Sequence, residues 1–130
     1  MGPVNWLAVL LAAILAVALG IVCYGPLFRT GRTLMKGKGA APRGYGQSFV
    51  VMLLTAWLMG HNFARVGADT LHAKPWLYWM MSGGFAVFIA SPVLYLGLAR
   101  YGVPMRNRLA DCGFWIVAFL VMGTVFWALG

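Results

Sequence analysis

His61 and His72 are the two histidines of the chain, 11 residues apart with Asp69 between them. Imidazole and carboxylate are the usual donors for a transition metal, and imidazole also ligates haem iron. In one short polar loop the same three residues serve equally as solvated groups or helix caps. No cofactor or metal is predicted from them; His61 and His72 stand as the weak candidates. His61-Asn62 with Arg65 is part of the inventory of small membrane enzymes that hold an anionic thiol cosubstrate. Such a site also needs a Glu and lies at the cytoplasmic helix ends; this chain has no Glu, and these residues fall at the predicted outer end of their span. The two cysteines, Cys23 and Cys112, form no Cys-x-x-Cys pair and have no base nearby in sequence, so they read as apolar packing residues.

The acids decide more than the bases do. Asp69 and Asp111 are the only two, and there is no Glu. Proton-coupled export trades protons through a carboxylate within the membrane, and the small multidrug-resistance proteins depend on a Glu in their first helix. The first apolar stretch here carries no charge, which closes that route. Asp111 sits just ahead of the last apolar stretch, where a carboxylate caps a helix and suits the positive end of its dipole. It is also placed to pair with Arg106 or Arg108. No catalytic residue is predicted, and the chain is expected to be non-enzymatic.

The elements that must position these residues follow from composition. Of 130 residues, 62% are hydrophobic and 9% charged, with a net charge of +8. Soluble domains carry about 25% charged residues, so neither a soluble globule nor a disordered chain fits. A nucleic-acid binder gathers its bases on one soluble face, and no such face can be built. A bilayer core about 30 Å thick takes roughly 20 apolar residues per helix. Four stretches meet or approach that length: residues 4–28, 47–64, 76–99 and 112–129, none with an acid, Lys or Arg inside. The expectation is an all-α integral membrane protein, a single domain over residues 1–130 with four transmembrane helices in a bundle. Ala16-Val17-Ala18 resembles a signal-peptide cleavage site, but no basic segment precedes it and the apolar run continues, so the first span is expected to be retained.

Charge gives the orientation. The first connection holds Arg29, Arg32, Lys36, Lys38 and Arg43, the second Arg65 and Lys74, the third Arg100, Arg106 and Arg108. The first and third share a side, eight basic residues against two. The positive-inside rule puts them in the cytoplasm, with both termini periplasmic, in a bacterial inner membrane. Those eight residues then face anionic lipid headgroups, at about 1 kcal/mol each. The two cysteines fall near the reducing side, which argues against a disulfide. Aromatic belts agree: Trp6, Trp76, Trp79 and Trp127 fall at outer helix ends, and Tyr24, Tyr45, Tyr95 and Tyr101, with Trp115, at inner ends.

Small residues let helix backbones approach in lipid. Ala8, Ala12, Ala16 and Gly20 form such a stripe; Ala56, Gly60 and Ala64 form a second, and Ser82, Ala86 and Ala90 a third. They serve either an internal bundle or contact with a partner subunit. Pro92 should kink the third span, with Ser91 placed to satisfy the freed carbonyl. Val22, Tyr24, Leu27, Arg29 and Gly31 recur 71 positions later as Val93, Tyr95, Leu98, Arg100 and Gly102. Either a duplicated hairpin or the common pattern of a helix leaving at a cytoplasmic face accounts for that.

Asn5-Trp6-Leu7-Ala8 and the run Gly20-Ile21-Val22-Cys23-Tyr24-Gly25-Pro26-Leu27-Phe28 resemble a family of small bacterial membrane proteins, domain of unknown function 1761. Asp111, Gly113, Gly123 and Trp127 fit its last helix. Cys23 stands where the family usually has Trp, and Arg29 where it has Gly. The resemblance implies four helices in a bacterial inner membrane and assigns no activity. Together these readings predict an accessory or structural subunit packing against a larger integral complex, photosynthetic or respiratory for example, or a homo-oligomer. The partners expected are lipid and other membrane subunits or a second copy, and not nucleic acid. A small solute transporter or channel is the alternative, and a lipid- or thiol-handling membrane enzyme a third.

Overall fold

The computed structural model describes residues 4–23 and 41–130, the side chains of residues 41–45 and 47 excepted. Every regular element among the described residues is helical. Asn5 starts α1 (Trp6–Val22) by accepting the Ala8 amide on its side-chain oxygen at 3.1 Å, which satisfies one of the open donors of the first turn. Helix α2 (Ala41–Val66) stops at Gly67, whose φ of +94° breaks the helical path. A short α3 (Ala68–Ala73) then leads into α4 (Leu77–Phe85). A π turn over Ala86–Ala90 joins α4 to α5 (Ser91–Arg100) in one continuous rod. Gly102, at φ +67°, closes α5, with its amide on the Ala99 carbonyl and the Val103 amide on that of Leu98. This is the Schellman pattern, which needs a left-handed residue at that position. Helix α6 (Met105–Leu129) follows Pro104 directly.

Among the described residues, three helices are long and apolar enough to cross a membrane: Ser48–Val66 within α2, the rod Leu77–Arg100, and α6. The fourth apolar helix, α1, has 17 residues, which spans about 25 Å at 1.5 Å per residue. Residues 24–28, which the sequence reading adds to this span, lie outside the described residues.

Two expectations are corrected. Asp111 does not cap the last helix. Proline 104, with φ fixed near the helical value, begins α6 ahead of it, so Asp111 falls inside α6 and is buried. Where a kink is expected at Pro92, a π turn over Ala86–Ala90 lies just upstream of it, itself a usual site of a helix bend. The Ser91 amide reaches back five residues to the Ala86 carbonyl, and the wider turn makes room for a ring that would otherwise crowd the preceding carbonyl. The Ser91 hydroxyl, expected to satisfy a freed carbonyl, is buried without a hydrogen-bond partner.

The packing order is α2, α1, α6, then the α4–α5 rod, with α6 touching both sides and α2 scarcely meeting the rod. Ala8, Ala12, Ala16 and Gly20 are all buried along α1. They face an interior filled by Met52 and Met59 of α2 and by Phe114 and Met122 of α6. Helices approach closely at Gly60 and Gly123. A Cβ at Gly60 would lie 3.0 Å from Val9 and 3.2 Å from the Phe126 ring. One at Gly123 would strike the Ser82 hydroxyl.

Candidate functional site

The polar groups gather at the two ends of the bundle. At the end where α5 passes into α6, the Arg108 guanidinium lies over the Tyr95 ring, 4.7 Å from its centroid. That cation–π contact fixes the charge on one side. Arg108 Nε is buried and makes no hydrogen bond. One turn along α6, Cys112 Sγ donates to the Ser91 carbonyl at 3.5 Å, so α5 and α6 are stitched at two successive levels. Arg100 and Arg106 are exposed at the same end. Arg29, Arg32, Lys36 and Lys38 lie outside the described residues, as does the side chain of Arg43.

Above Arg108, an apolar groove of about 360 Å³ opens sideways between α2 and the rod. Its walls are Val51 and Thr55 on one side and Ala90 and Leu94 on the other. Trp115 and Phe119 of α6 form its floor. The two rings meet edge to face at 6.1 Å. The Thr55 hydroxyl is engaged by its own helix, donating to the Val51 carbonyl at 3.0 Å. The groove follows from the packing order, since α2 leans mainly on α1 and the rod on α6, and the two do not close on each other.

At the opposite end, Asn5 Nδ2 donates to the Leu129 carbonyl at 3.1 Å and ties the start of α1 to the end of α6. Phe63, Tyr78 and Phe126 stack beneath, with centroids 4.9 and 5.1 Å apart, beside a cavity of about 250 Å³. Trp79 Nε1 donates to Thr124 Oγ1 at 2.9 Å, with Trp127 5.4 Å away.

The two histidines have separate surroundings. His61 is exposed beside Trp57 and Leu58 at a surface hollow. His72 shares a hydrogen bond with the Gly130 carbonyl at 3.1 Å. Among the described residues, no three His, Cys, Asp or Glu side chains converge as metal ligands would. Of the third stripe, Ser82 and Ala86 are fully buried and Ala90 partly, at the groove wall.

Sequence reasoning treats Tyr95 and Trp115 as headgroup anchors and misses both the Tyr95–Arg108 stack and the groove. One signal was present: Arg108 and Trp115 are seven residues apart, two turns on one face of a helix.

Residues 7–127 match the model of a family described as a protein of unknown function, DUF1761. The chain belongs to the DUF1761 family. The resemblance read from the first span thus holds over nearly the whole chain. The region matched to DUF1761 takes in the groove and the Arg108 end, and begins just after Asn5-Trp6. No curated protein and no solved structure matches the chain.

Proposed function

We propose that the chain is a non-enzymatic membrane protein that works by packing, as an accessory or structural subunit of a larger integral complex or as a homo-oligomer. Photosynthetic or respiratory assemblies are hosts of the right kind. The observation that carries this reading is the bareness of the Leu77–Arg100 rod. In its most apolar stretch 11% of residues are buried, against 44% in α6, and α5 buries none. Phe88, at 81% exposed, and Leu96 stand out from it. A Cβ at Gly84 or Gly97 would meet nothing within 4 Å, which leaves room for a neighbouring helix to come close. The interior filled by Phe114, Met52, Met59 and Met122 favours packing over conduction. Extraction in mild detergent is expected to give a particle larger than the monomer, either a stoichiometric multiple or a complex with other membrane subunits. Leucine at both Gly84 and Gly97 is expected to release the chain. A monomer alone, with nothing co-purifying, overturns the reading.

The same proposal sets the orientation: a bacterial inner membrane with both termini periplasmic. It rests on eight basic residues lying between the first and second and between the third and fourth apolar stretches, against two between the second and third. A C-terminal alkaline phosphatase fusion is expected to be active and a C-terminal green fluorescent fusion dark. The reverse pair of results sinks the orientation.

A further inference from the structure

We infer that the groove over Trp115 and Phe119 is a lipid site, taking one acyl chain of an anionic phospholipid whose phosphate is held at Arg108. The groove opens sideways at mid-height on helices long and apolar enough to cross a bilayer, so what reaches its mouth is hydrocarbon. Its lining is almost wholly apolar, and its one hydroxyl, on Thr55, is bound to the Val51 carbonyl. A sugar or peptide entering it would lose its hydrogen bonds to water and find none in return; a methylene chain loses nothing.

The headgroup end is set by α6. Arg108 lies two turns before Trp115 on the same face, about 10 Å along the axis, so a chain in the groove brings its phosphate toward the guanidinium. Tyr95 covers one face of that guanidinium at 4.7 Å, and buried Nε makes no hydrogen bond. Burial shuts Nε away from a headgroup, so the two terminal nitrogens of the fork are the donors that would meet a phosphate oxygen pair. Arg100 and Arg106 add charge at the same end, against the single carboxylate of Asp111. The balance favours an anionic headgroup over a zwitterionic one. The lipid would fill the seam that α2 and the rod leave open. The inference depends on membrane insertion but not on the subunit reading, which the sizing experiment tests separately.

The test is contact quenching of tryptophan. The full chain is reconstituted in vesicles of phosphatidylcholine containing a minor fraction of phosphatidylglycerol, with brominated acyl chains placed on one lipid or the other. Subtracting the signal of Trp115→Phe isolates Trp115 from the other five tryptophans. At equal mole fraction, brominated phosphatidylglycerol is expected to quench Trp115 several-fold more than brominated phosphatidylcholine. Arg108→Gln should reduce that preference about fivefold, the factor for one basic residue at a headgroup, and Arg108→Lys should restore most of it. Ala90→Phe, which fills the groove without touching the charge, should protect Trp115 from both lipids. Equal quenching by the two lipids in the wild type would mean ordinary surrounding lipid, and no quenching by either would mean the groove is covered by protein. Each result overturns the inference. Should Arg108→Gln fail to insert with full helicity, the wild-type preference and Ala90→Phe decide it.

Discussion

Gly123→Ala is expected to destabilise the bundle by about 1–3 kcal/mol, the usual range for overpacking a filled interior, and Gly123→Leu to prevent α4 from docking on α6. The new Cβ would run into the Ser82 hydroxyl and lie 2.9 Å from the Tyr78 carbonyl oxygen. Neither obstacle can swing aside. Ser82 is fully buried and its hydroxyl donates to that same carbonyl at 2.8 Å. The carbonyl is backbone, so relief requires α4 to move as a body. In lipid there is little solvent drive to push the helices back together, because association rests on close packing. Gly113 provides the control. A Cβ there meets nothing within 4 Å, so Gly113→Ala should be neutral or slightly stabilising, as expected from the helix preference of alanine. Ser82→Gly in the Gly123→Ala background removes one obstacle and should recover part of the loss, a coupling on the order of 0.5–3 kcal/mol. The measurement is thermal unfolding in detergent. Equal melting of Gly123→Ala and Gly113→Ala would show that the α4–α6 crossing is not tight.

Helical character was legible because apolar runs free of charge leave few other structures in a chain this poor in ions. Helix ends were not. Arg106, Arg108 and Asp111 look like loop residues by hydropathy, yet they occupy the first turns of α6. Long basic side chains let a helix run on through the headgroup layer, since the stem stays apolar while the charge reaches polar surroundings. Hydropathy therefore marks the edge of the hydrocarbon, whereas Pro104 marks the start of the helix. Pro92 was legible as a disturbance, but the π turn that absorbs it depends on which carbonyl the Ser91 amide finds. Beyond the Arg108–Trp115 spacing on α6, the groove could not be read. Val51, Ala90 and Trp115 come from three helices, and only the packing order shows that α2 and the rod stop short of each other. The histidines show the converse: His61 and His72 are close in sequence, but one faces outward beside Trp57 and the other binds the Gly130 carbonyl.

Phe126→Ala is the second large effect, and its size depends on the solvent. Phe126 is 3% exposed. Its ring stacks on Phe63 of α2, which in turn stacks on Tyr78 of α4, so one side chain of α6 links three helices. In a water-soluble core such a truncation costs about 3–5 kcal/mol, part of it for transfer from water. In lipid the transfer part largely vanishes, because the unpacked state is as apolar as the packed one. What remains is lost contact. A void on the order of 100 Å³ at ~24 cal/mol per Å³ gives about 2–3 kcal/mol, and the aromatic stacking adds about 0.5–1.5 kcal/mol. The existing cavity of about 250 Å³ touches Phe126, so the void joins a space that is already there and collapse cannot easily close it. Phe126→Leu should recover more than half of the loss. Far-UV circular dichroism should barely change, since each membrane helix satisfies its own backbone. The effect belongs in a tertiary readout: faster labelling of Cys112, buried at the other end of α6, and a lower melting temperature by size exclusion. If Cys112 labels no faster and the melting temperature holds, the aromatic cluster is a local ornament and the close crossings of α1 with its neighbours and of α4 with α6 hold the bundle together.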